Sequence, residues 1–164
     1  MMQRIKVRCL HVSAIALIIG TVSIEAVAAG SSHVMHTQNR DEGLRGVEMT
    51  LDVVDALAER QKTVMDQSYR MQYENRGFDL KFLPEITYDT STLTLGSGRT
   101  VGTSVFTIRS KNQSRETVDR AITLYGIKGA TYHKIICNGV TNIFQDQACL
   151  GKAEEVFGRM GVTQ

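Results

Sequence analysis

Residues 42–76, EGLRGVEMTLDVVDALAERQKTVMDQSYRMQYENR, decide how the rest of the chain is read. The stretch has no proline, and apolar or small side chains recur at Leu44, Val47, Leu51, Val54, Ala58, Met65 and Tyr69. Steps of three, four and seven place these residues on one side of a helix. Unbroken, that helix would be roughly 50 Å long at a rise of about 1.5 Å per residue. A single domain of this size is only on the order of 30–35 Å across. One end of the stripe is therefore expected to cover a sheet and the other to meet a partner, which makes Leu44, Val47, Leu51, Val54, Ala58 and Met65 the candidate interaction residues. Asp41 or Asn39 can cap the helix, Glu42 complements its dipole, and Gly77 supplies a stop. Gly43 and Gly46 each weaken the first turn by about 1 kcal/mol relative to alanine, which predicts a late start or a kink there.

Beyond Gly77 the period changes. Phe78, Leu80 and Phe82 alternate with polar residues as in a half-buried strand, and Pro84 ends it. Ile86, Tyr88, Leu93 and Leu95 alternate again among threonines, which favour strands. The turn Gly96-Ser97-Gly98-Arg99 predicts a hairpin with strands near 91–95 and 103–109. Val118, Ala121, Ile122 and Tyr125 have helical spacing, with Ser114 as cap and Glu116 in the first turn. Tyr132–Cys137 reads as a strand, Asn138-Gly139 as a turn, Val140–Phe144 as a partner strand and Ala148–Arg159 as a last helix. The expected fold is α+β: a long N-terminal amphipathic helix packed on a small antiparallel sheet, with short helices and one C-terminal disulfide.

Upstream, Arg4, Lys6 and Arg8 precede the apolar run Val12–Ile24 and the small residues Ala26-Val27-Ala28-Ala29-Gly30. This is the order of a secretory signal peptide cleaved after Ala28 or Ala29. The alternative is an N-terminal membrane segment, but the run is about thirteen residues against the roughly twenty that a spanning helix needs. Residues 1–29 are thus expected to be removed, 30–41 to form a flexible linker, and 42–164 to form one domain led by the helix 42–76. The chain has 19 Lys+Arg and 17 Asp+Glu; residues 1–29 carry three of the former and one of the latter, leaving 16 of each. A mature net charge of zero excludes an electrostatic footprint for nucleic acid, and a membrane contact is expected only if residues 12–29 are retained.

Cys9 lies in the leader, so Cys137 and Cys149 are the pair left in the mature chain. In an exported protein such a pair reads most simply as a disulfide, here closing a loop worth roughly 3 kcal/mol. A metal or redox pair would want CxxC spacing or histidine-rich surroundings, which are absent. Gly96, Gly98 and Gly102 are one residue off the dinucleotide fingerprint but lead into a strand, so they read as a hairpin turn. His33 and His36 are three apart, yet no carboxylate or thiol accompanies them, and they read as solvated tail residues. His133 would have to serve any Ser-His-acid triad, and no G-x-S-x-G elbow supplies the serine. Asn112-Gln113-Ser114 matches a glycosylation acceptor, relevant only in a eukaryotic secretory route. Asp52, Asp55, Glu59 and Asp66 lie on the outer helix face, without the cleft that paired catalytic carboxylates require. No catalytic residue, cofactor or metal is expected.

In layout the chain resembles type IV pilin subunits, especially the b-class pilins and their pilin-like relatives. AIALIIGTVSIEAVAAG, residues 14–30, followed by a polar helix ending near Gln61, is similar to the junction between the buried and solvated halves of the first pilin helix. VFTIRSKNQSRETVDRAITL, residues 105–124, is similar to a head strand running into a short helix. Gly20 and Glu25 reproduce the spacing of the pilin processing site, with the apolar run before them instead of after, so the resemblance implies a soluble pilin-like or accessory subunit. The expected function is that of an exported, non-catalytic structural or protein-interaction subunit of an envelope or surface assembly, periplasmic, on the cell surface or secreted, with self-association through the long helix. The alternatives are a small secreted binding or inhibitor module that presents the loop 138–148, and a small exported hydrolase using His133.

Overall fold

In the computed structural model, which describes residues 33–112 and 114–160, the long helix starts at Leu51 and not at Glu42. Helix α1, Leu51–Asn75, is 25 residues long. It is not N-terminal: a strand, β1 (Val34–Arg40), and a 3₁₀ turn at Glu42–Leu44 come first. Gly46 takes a positive φ of 73°, which ends the turn, and the Thr50 hydroxyl accepts from the Val53 amide as the true N-cap. The expected helix over 42–76 and the protruding end it implied are corrected accordingly. At about 1.5 Å per residue, α1 spans about 38 Å, and the longest strand of the sheet beneath it, with 13 residues, spans about 43 Å at roughly 3.3 Å each. The helix is no longer than the surface it lies on.

The sheet has five antiparallel strands in the order β1-β5-β4-β3-β2, where β2 is Glu85–Thr94, β3 Thr100–Lys111, β4 Glu116–Lys128 and β5 Thr131–Asn138. A second helix, α2 (Gln147–Gly158), follows β5. The two helices cover opposite faces. Gly102 of β3 lies beneath Val54 of α1 and is paired with Tyr125 of β4, while the next residue, Gly126, points the other way and lies beneath Phe157 of α2. Under α1 the core holds Val54, Leu57, Ala58, Ile86, Phe106, Ile108 and Tyr125; under α2 it holds Val101, Ile122, Leu124, Ile135, Cys137, Ala153 and Phe157.

Coverage on both faces explains the largest departure from expectation. The segment 114–125, expected as a short helix, forms strand β4 from Glu116 onward, in which Ala121–Gly126 are all buried. A strand buried on both sides loses its two-residue alternation, and its apolar run then matches helical spacing by chance. The presumed helix cap is an Asx turn, with the Asn112 side-chain oxygen Oδ1 accepting from the amides of Ser114 and Arg115. Residues 34–40, expected in a flexible linker, pair with β5 from Val34↔Cys137 to Arg40↔Thr131. The expected strands at 78–82 and 140–144 are replaced by 3₁₀ turns at Leu80–Phe82 and Ile143–Gln145. The 91–95/103–109 hairpin forms as part of β2 and β3, the strand 132–137 as part of β5, and the last helix as α2. The leader read in residues 1–29 lies outside the described residues. No helix among the described residues is long and apolar enough to cross a membrane.

Candidate functional site

The end of the sheet where β1, β5 and α2 meet holds both the expected disulfide and a group of side chains that the sequence did not connect. Cys137, at the end of β5, is bonded to Cys149 in the first turn of α2, with the two Cα atoms 6.0 Å apart. The loop between them is fixed at many points. The Asn138 amide donates to the His33 carbonyl at 2.8 Å, and Gly139, at φ 75°, donates to the Arg120 carbonyl at 2.6 Å. Val140 and Ile143 are buried, and the Asn142 side chain accepts from the Phe144 amide at 3.0 Å. Asp146 caps α2 by accepting from the Cys149 amide at 2.8 Å, and its other oxygen lies 2.9 Å from His33 Nε2. The backbone hydrogen bond from Cys149, and then the His33 contact, hold the Asp146 carboxyl below its ordinary range. Out of this pinned loop Phe144 projects into solvent, 58% exposed.

Beside the loop, on the face that carries α2, His36 of β1 and His133 of β5 meet nitrogen to nitrogen, with Nε2 and Nδ1 3.1 Å apart. Their ring planes are within 14° of parallel, with centroids 5.4 Å apart. That separation is close to the nitrogen contact plus the reach of each ring, so the rings meet end to end and share one N–H···N bond. Nitrogens that point at each other do not converge on a third point, as metal ligands would. Burial, then the charges of His36, Lys128 and Arg99, push His133 down to about 4. The pair opens onto a cleft of about 250 Å³ walled by Lys128, Lys152, Glu155 and Arg159. Among the described residues no three of His, Cys, Asp and Glu come together as a metal site.

The sequence-derived interaction residues sit elsewhere. Val54 and Ala58 are fully buried against the sheet, Leu44 and Met65 pack at the margins of the same core, and Val47 lines a separate surface cleft with Met49, Arg99 and Ile127. Of the six, Leu51 is the one left exposed, at 52%. Gly96 and Gly98 form the β2–β3 turn as read. The His33 and His36 side chains, read as solvated, are half-buried, because the strand that carries them is paired and not a tail. His36 and His133 are 97 residues apart in sequence, and only the β1–β5 register, unreadable from composition, brings them together.

Fold and site together define a disulfide-stapled domain with one sheet between two helices and a rigid loop at one corner. Comparison with known protein-family models, curated proteins and solved structures finds no match to the chain.

Proposed function

We propose that the protein is an exported, non-catalytic protein-interaction subunit whose partner binds at the disulfide-bounded loop 138–148, with Phe144 as the apolar anchor. The observation that carries this reading is a contrast between neighbours: Ile143 is 3% exposed and holds the loop down, while Phe144 is 58% exposed on a backbone with little freedom left. A loop ordered beforehand loses little entropy on binding, and exposed aromatics on rigid backbone commonly dominate interface energies. The disulfide supports an oxidising compartment and, with it, export. The likeness to pilin subunits rested on a helix that led the domain; since α1 follows a strand, assembly through a protruding helix is not part of the reading.

The test is site-specific photo-cross-linking in the producing cell, with the probe at the exposed neighbour Gln145. The expected result is a discrete protein adduct that falls about tenfold or more in Phe144→Ser, the loss of an anchor worth at least roughly 1.4 kcal/mol. Because Phe144 touches little of the core, the variant should keep its stability within about 0.5 kcal/mol. A folded, exported chain that gives no adduct, or one indifferent to Phe144, overturns the proposal.

A further inference from the structure

We propose that the cleft between the His36–His133 pair and α2 is a binding site for a phosphate-class anion, independent of the loop. Four walls of the cleft carry the argument. Lys152 and Glu155 stand three residues apart on one face of α2, Arg159 is its C-cap four residues further on, and Lys128 comes from the end of β4. The one carboxylate, Glu155, is already engaged by Lys152 at 3.1 Å, and the Lys152 side chain is only 14% exposed. The side chains of Lys128 and Arg159 have neither a hydrogen bond nor an ion pair among the described residues. Three cations therefore face one carboxylate across a space of about 250 Å³, ample for a tetrahedral oxyanion.

The imidazole pair completes the recognition. When His36 Nε2–H donates to His133 Nδ1, the remaining proton of neutral His133 is on Nε2, a hydrogen-bond donor without charge. Guanidinium, ammonium and imidazole N–H are the donors that recognise a phosphate. A bound anion would also offset the repulsion from Lys128 and Arg99 that disfavours the protonated form of His133. The charged and titratable groups around His133 are His36 on β1, Lys128 on β4, Lys152 and Glu155 on α2, Arg159 at its C-cap, and Arg99 in the β2–β3 turn. All but Glu155 are basic.

The test uses the oxidised full chain, titrated with inorganic phosphate and with methyl phosphate at constant ionic strength set by chloride, following the imidazole resonances by NMR. Saturable binding is expected, with the His133 titration midpoint moving up by about one unit as phosphate saturates, a tenfold linkage between proton and anion. Lys128→Gln/Arg159→Gln, both exposed positions, should weaken binding at least tenfold without altering the fold. Equal binding of methyl phosphate assigns the site to phosphomonoesters such as a sugar or lipid headgroup; binding of inorganic phosphate alone assigns it to the free ion. Non-saturable shifts that chloride reproduces, or binding unchanged in the double variant, overturn the proposal.

Discussion

Lys134 is a buried cation. It is 7% exposed on the α1 face of β5. Its cross-strand neighbour is Thr37, whose hydroxyl oxygen is buried without a hydrogen-bond partner. Among the described residues no carboxylate pairs with the ammonium, which lies 6.0 Å from the centroid of the Tyr132 ring. Arg60, the charged group that bears on it, is itself a cation and is paired with Asp41 at 2.8 Å. Burial first, and Arg60 second, lower the Lys134 pKa from its ordinary 10.5. Between the lowered folded value and 10.5 the unfolded chain holds a proton that the folded chain has released, so stability should rise with pH across that window. Lys134→Met keeps the stem and removes the charge, and should raise stability at pH 7 by about 1–2 kcal/mol. Urea melts of both proteins at pH 7 and pH 10 check this, with the gap narrowing at the higher pH. A variant less stable than the parent would mean that the contact of the ammonium with the Tyr132 ring outweighs the cost of burial.

At the scale of elements, two glycines allow the helices to lie close on the sheet. A methyl group added at Gly126 would stand 2.5 Å from the Phe157 ring, and one at Gly102 would run into Val54. Neither position has an unusual backbone, so the requirement is space and not conformation. Gly126→Ala should cost about 2–3 kcal/mol through overpacking, and thermal melts of Gly126→Ala, Phe157→Leu and the double variant should show the pair less destabilised than the sum of the singles. Simple additivity would mean that α2 is not seated on Gly126. These contacts also mark how far the sequence could be read. The β2–β3 hairpin, β5 and α2 kept their local signals because each has a clear turn or cap and a face in one environment. Strand β4 lost its alternation because both of its faces are covered. Strand β1, VMHTQNR, is an edge strand whose order comes from backbone pairing with β5, which side-chain pattern does not report. The start of α1 was decided by Thr50 and by the positive φ of Gly46, where apolar spacing alone ran the helix nine residues too far back. The cysteine pair was legible from counting; the imidazole pair needed a register between distant strands.

For the whole molecule, the disulfide couples the second half of the core to the sheet while leaving the first half alone. It joins β5 to α2, and α2 supplies Ala153 and Phe157 to the core under that face. The α1 face, built on Val54, Ala58, Phe106 and Tyr125, shares no helix with it. Removing the bond frees a closed loop whose entropy is worth about 3 kcal/mol, a large share of the 5–15 kcal/mol that holds an ordinary domain together. Opening should therefore be local before it is global. In Cys137→Ala/Cys149→Ala, hydrogen exchange should accelerate first at 139–148 and through α2, while the amides of α1 and β3 keep most of their protection. The loss in global stability should be about 2–3 kcal/mol, and the same segment should become the first site of proteolytic cutting. Uniform acceleration across both faces would mean that the two helices unfold as one unit. An unchanged exchange pattern would mean that the hydrogen bonds of Asn138, Asn142 and Asp146 hold the loop unaided. If the expected order is found, Phe144 presentation depends on oxidation, because the disulfide that makes its backbone rigid closes only where thiols are not kept reduced.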